Sequence, residues 1–67
     1  MRISYNKLWK MLIDKNKKKS DLREKAGISS ASLAKLGKGD NITTDVLLRI
    51  CKVMDCRIED ILETVRD

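Results

Sequence analysis

Between Leu22 and Leu36 the chain reads Leu-x-x-x-Ala-Gly-Ile-Ser-x-x-x-Leu-x-x-Leu. This segment constrains the fold more than any other. Leu22 and Ala26 share one helical face at i, i+4, so a short helix spans about Lys19 to Ala26. Gly27 ends it, because glycine enters the left-handed conformation without a Cβ clash. Ser29 then caps a new helix that carries Leu33 and Leu36 inward. The reversal takes only three or four residues, so the second helix crosses the first steeply and projects outward. That is helix-turn-helix geometry. A leucine five residues before a glycine is common in any helical bundle. Gly27, Ile28, Leu33 and Leu36 together are much less so.

The rest of the chain is also helical in period. Tyr5, Leu8 and Leu12 recur at i, i+3, i+7, which predicts a helix over about Tyr5 to Lys15, capped by Ser4. Asn16 falls where its C-terminal turn is expected. The third helix is expected to break at Gly37-Lys38-Gly39. Thr43 caps a fourth helix, whose stripe Leu47, Ile50, Cys51 and Met54 is the clearest in the chain. Ile58, Ile61, Leu62 and Val65 predict a short fifth. No run alternates with period two, and no Asn-Gly or Asp-Gly hairpin turn occurs, so strands are not expected. The expected fold is all-α, five short helices in one domain over residues 1–67. A chain of 67 residues has room for one small core.

Charge is divided along the chain. Residues 1–38 hold eleven Lys or Arg and three Asp or Glu, a balance of +8; residues 39–67 hold four and seven, a balance of −3. A basic face suits a polyanion, although a solvated lysine-rich surface looks the same in composition. There is no histidine, no nucleophile beside a base, and no glycine loop for phosphate, so an enzyme is not expected. Cys51 and Cys56 have too few companions for a four-ligand zinc site and read as reduced core residues. No cofactor or metal is expected. No stretch is apolar enough to span a bilayer, and the N-terminus lacks a signal-peptide pattern, so a cytoplasmic protein is expected.

At this point the chain resembles the helix-turn-helix domains of the lambda-repressor and Cro type, also called the XRE family. The matching residues are Leu22, Ala26-Gly27-Ile28-Ser29, Leu33 to Leu36, Gly39, Ile42-Thr43, Leu47-x-x-Ile50-Cys51-x-x-Met54, Ile58 and Ile61-Leu62. They cover about residues 5 to 63. One departure is Arg23, where the family usually has alanine at the contact between the two helices. Its stem can lie along that contact while its head points to solvent or to a phosphate.

The resemblance implies sequence-specific binding of double-stranded DNA by a small transcriptional repressor, with the third helix in the major groove. It carries base reading onto Ser30, Ala31 and Lys35. Serine discriminates weakly, alanine can touch a thymine methyl, and lysine can donate to guanine O6 and N7. The candidates for phosphate contact are Lys18, Lys19, Arg23, Ser29, Ser32, Lys38, Thr43 and Thr44. Lys7, Lys10, Lys15 and Arg2 add to the field. A homodimer is expected, with Ile61, Leu62 and Val65 either at its interface or closing the monomer core. Trp9 is either a lid on the core or part of a partner surface. The alternative is a protein-interaction module on the same fold, such as an antitoxin, whose protein partner meets the acidic, apolar C-terminal helix.

Overall fold

The computed structural model describes residues 1–66. Each helix begins and ends where a side chain or a left-handed residue satisfies its orphan backbone groups. Helix α1 (Asn6–Asp14) closes just before Asn16, which sits at φ 55°. Helix α2 (Lys19–Ala26) opens with the Lys18 backbone N–H donating to Asp21 Oδ2 at 3.1 Å and closes on Gly27 at φ 66°. Helix α3 (Ser30–Lys38) is capped by Ser29, whose Oγ accepts from the Ser32 N–H at 3.1 Å. Helix α4 (Thr44–Met54) is capped by Thr43, whose Oγ1 accepts from the Val46 N–H at 3.3 Å. It closes on Asp55 at φ 52°.

Gly37 does not break α3. It lies within the helix, and Gly39 at φ 74° ends it. A Cβ on Gly39 would meet the Ile3 carbonyl oxygen at 3.3 Å, so this position needs glycine both for its backbone and for the close approach of the N-terminal segment.

The ends of the chain depart from the all-helical expectation. Among the described residues four α-helices form, not five. Ile58–Asp60 makes only a single 3₁₀ turn, and two short strands, β1 (Arg2–Ser4) and β2 (Glu63–Val65), pair antiparallel. Their register is Arg2 with Val65, Ile3 with Thr64 and Ser4 with Glu63. The i, i+3, i+4, i+7 spacing of Ile58, Ile61, Leu62 and Val65 imitates a helix. Ile61 alone is fully buried, while Ile58 is exposed. The β-branched Thr64 and Val65 pair with β1 and so satisfy the backbone at both ends of the domain. Three residues are too few for an alternating pattern to be read. Ser4 is a buried strand residue; its Oγ accepts from the Asn6 N–H at 3.3 Å, while Tyr5 holds the N-cap position of α1.

The core draws on every helix. Leu8 of α1, Leu22 of α2, Leu36 of α3, Ile50 and Met54 of α4, and Ile61 are fully buried. Helix α4 packs chiefly on α2. Tyr5 is buried too, and burial raises its phenol above the ordinary value. Ile61 therefore closes the monomer core and cannot serve a dimer interface; Leu62 and Val65 are half-buried. Two lysines brace the C-terminal half. Lys15 Nζ donates to the Met54 carbonyl at 2.9 Å, a cation on the last orphan carbonyls of α4, and Lys7 Nζ donates to the Glu59 carbonyl at 3.2 Å.

Cys51 is buried and Cys56 half-buried, and neither forms a disulfide. The Cys56 N–H donates to the Cys51 carbonyl at 3.0 Å across the left-handed Asp55, so the two side chains take the places that usually make the apolar contact of a helix C-terminus. Burial, and then the adjacent Cys51, push the Cys56 thiol from 9.0 up to about 11. A raised pKa means that the fold favours the protonated thiol. Its contribution to stability is therefore complete below pH 9.0 and is lost as pH rises through about 11. Iodoacetamide should label Cys56 slowly near neutrality and faster as pH approaches 11, as read by intact mass. Rapid labelling at neutral pH would show a thiolate that this packing does not permit.

Candidate nucleic-acid interface

Helix α3 has one inward and one outward side. Leu36 is fully buried and Leu33 and Ser32 are half-buried, whereas Ser30, Ala31, Ala34, Lys35 and Lys38 are all exposed. Ala31 and Lys35 stand one turn apart at i, i+4, with Ser30 beside Ala31. Of the three residues expected to read bases, Ala31 and Lys35 share one accessible face and Ser30 is exposed on its flank. The sequence makes that face through its small residues: Ser30, Ala31 and Ala34 add little bulk, so only Lys35 and Lys38 reach far from the helix.

The serines at the start of α3 are already engaged. Ser29 Oγ accepts the Ser32 N–H, and its own O–H donates to Ser32 Oγ at 3.1 Å. The Ser32 hydroxyl proton is left to donate elsewhere. Thr43 is in a similar state, its oxygen taken by the Val46 N–H and its proton free. Thr44 is exposed at the first position of α4.

The N-terminus of α2 is basic, with Lys17, Lys18 and Lys19 in succession. Lys18 and Lys19 are both exposed there. Lys19 Nζ lies 4.4 Å from the centroid of the Trp9 ring. A cation over an indole face is attracted by the ring quadrupole, so half-buried Trp9 serves as a rest for Lys19. Lys17 stands beside Lys25. The Lys25 side chain, close by and of like charge, pulls the Lys17 ammonium below the ordinary lysine value. Lys25 also lines a shallow cleft between α2 and α4 with Arg49 and Lys52, floored by Ala26 and Val53. Arg23 is half-buried, and its guanidinium has no ion pair among the described residues.

Sequence reasoning missed Arg49. Its Nη1 donates to the Gly27 carbonyl at 3.3 Å, and its Nε pairs with Asp45 Oδ2 at 3.1 Å. Gly27 is the pivot between α2 and α3, so α4 holds the turn from which α3 projects. The i, i+4 spacing of Asp45 and Arg49 was a visible signal for the ion pair. The bond to a turn 22 residues away has no signal in the sequence. Lys7 and Lys15, expected only to add to the field, are occupied by backbone carbonyls of the C-terminal half.

Comparison with known proteins agrees with this geometry. A family profile described as a Cro/C1-type HTH DNA-binding domain matches residues 7–67. Among solved structures, the crystal structure of the transcriptional regulator VanUg (form II) superposes with a TM-score of 0.94 at 50% sequence identity, over 98% of this chain and 88% of that one. A search of curated proteins finds no match. No helix among the described residues is long and apolar enough to cross a membrane. With a capped, outward-facing α3 set on α2 by a left-handed glycine, and a family match over nearly its whole length, the chain belongs to the Cro/C1-type helix-turn-helix DNA-binding domains.

Proposed function

We propose that this protein is a sequence-specific, double-stranded-DNA-binding transcriptional regulator that represses by occupying its site. Helix α3 enters the major groove and presents Ser30, Ala31 and Lys35 to base edges. Lys18, Lys19, Arg23, Ser32, Lys38, Thr43 and Thr44 hold the flanking phosphates, and Ser29 serves mainly as the cap that starts α3. The observation that carries this reading is the exposed face of α3, whose opposite side is locked by Leu36 and the Ser29 cap. A homodimer would set two such helices about 34 Å apart, one helical turn of DNA. Similarity to the regulator VanUg supports the regulatory role.

The test is selection of bound duplexes from a random pool, followed by titration against salt. A short enriched motif with a steep loss of affinity on added salt is expected. Weak binding with no enriched motif in low salt would reject the DNA reading and favour a protein-interaction module on this fold.

Arg49 supplies a second check. As a brace on the Gly27 carbonyl it sets the aim of α3 without touching phosphate. Arg49→Ala should weaken DNA binding roughly 3–10-fold, the worth of about one net hydrogen bond. The slope of affinity against salt should stay unchanged, measured by fluorescence anisotropy. A slope reduced by about 1 would mark Arg49 instead as a phosphate ligand.

A further inference from the structure

Leu48 breaks the pattern of its helix. Helix α4 buries Leu47, Ile50, Cys51 and Met54, yet Leu48 is 59% exposed. The other exposed large hydrophobics among the described residues are Met1, Ile13 and Ile58, which lie at or near element ends; Leu48 sits mid-helix. Its neighbours on that face are Asp45 and Lys52, at i−3 and i+4, both exposed. The stripe thus runs from an acid near the helix N-terminus, through an apolar centre, to a base one turn further on.

Such a stripe is its own complement when turned end for end. Place two copies of α4 antiparallel, with a twofold axis midway between residues 48 and 49. Leu48 then lies beside the axis, about 1.5 Å along the helix from Leu48 of the partner subunit, with Arg49 equally close on the other side and held by Asp45 and the Gly27 carbonyl. Asp45 faces Lys52 of the partner subunit, and Lys52 faces the partner subunit's Asp45, since 45 and 52 lie equally far from that axis. The charge state permits this contact. Arg49 occupies Asp45 Oδ2, which leaves Oδ1, and Lys52 has no ion pair among the described residues. The helix dipoles also oppose each other favourably.

We propose that the Asp45–Leu48–Lys52 face of α4 is an interface between two copies of this chain. It takes the place of the Ile61 surface, which the monomer core consumes. One helix against one helix is a small contact, so association in free solution is weak and is strengthened when adjacent half-sites hold two copies together. The role on paired half-sites rests on the DNA reading above; the contact itself does not and can be tested without DNA.

The experiment is analytical ultracentrifugation of the full chain, without DNA, from micromolar to near-millimolar concentration in low salt. The average mass should rise above the 7.7 kDa of the monomer as concentration increases. Leu48→Glu and Lys52→Asp should each weaken association about tenfold or more, with helical circular dichroism unchanged, since both positions are exposed. Asp45→Lys should weaken it likewise. An equimolar mixture of Asp45→Lys and Lys52→Asp chains should associate again, because each then meets its opposite. A monomer at every concentration overturns the proposal. So does a dimer indifferent to Leu48→Glu and Lys52→Asp, which would place the interface elsewhere. Binding of the Leu48→Glu monomer to a single half-site reports separately on the DNA reading.

Discussion

Leu36→Ala is expected to lower the free energy of unfolding by about 3 kcal/mol, within the roughly 2–5 kcal/mol range of buried leucine truncations. Leu36 is 1% exposed and is the one fully buried side chain of α3. Truncating it leaves a cavity between α3 and the rest of the core. A single core in a chain this short rarely supplies more than about 3–5 kcal/mol. The variant should therefore keep only about 0–2 kcal/mol and be partly unfolded at room temperature, its transition moved to low urea as followed by far-UV circular dichroism. Leu33→Ala, at a half-buried position, should cost less than half as much. Equal losses at the two positions would mean that α3 is not anchored mainly through Leu36.

The second large effect is on binding and leaves the fold intact. Removing Lys18 and Lys19 together, each to alanine, should reduce DNA affinity on the order of 10–100-fold near physiological salt. The slope of log affinity against log salt should flatten by about 2, because each lost phosphate contact withholds about 0.9 of a released counterion. The loss should be the same on a selected site and on random DNA, since phosphates carry no sequence. Neither residue supports the core, so thermal stability should change little beyond the lost contact of Lys19 with Trp9. A loss confined to one DNA sequence would contradict the assignment of the α2 N-terminus to the backbone.

What the sequence made legible was local chemistry. Ser29 and Thr43 cap α3 and α4, Gly27 and Asn16 take left-handed backbone, and α2 spans Lys19–Ala26 as its apolar spacing required. The outward face of α3 followed from the same geometry, with Ala31, Ala34, Lys35 and Lys38 all exposed. What escaped depends on distant partners. Strands of three residues have no readable period, and the helix-like spacing from Ile58 to Val65 concealed the pairing of Glu63–Val65 with Arg2–Ser4. Gly37 is tolerated inside α3 because Gly39 alone has the left-handed backbone that ends it. Lys15 on the Met54 carbonyl, Arg49 on the Gly27 carbonyl and Lys19 over Trp9 join residues far apart in the chain. No periodicity announces such contacts, although they decide which cations serve the fold and which remain for DNA.

On the face that α3 is proposed to turn to the major groove, Lys35 is the side chain able to make a strong base contact. The direct measurement is a parallel selection from one random duplex pool with the wild-type protein and with Lys35→Ala. The same motif is expected from both, with preference lost at one base pair only, a guanine contact worth roughly 1–3 kcal/mol. A motif unchanged at every position, with affinity reduced evenly across sequences, would place Lys35 on the phosphates and leave α3 without its principal base contact.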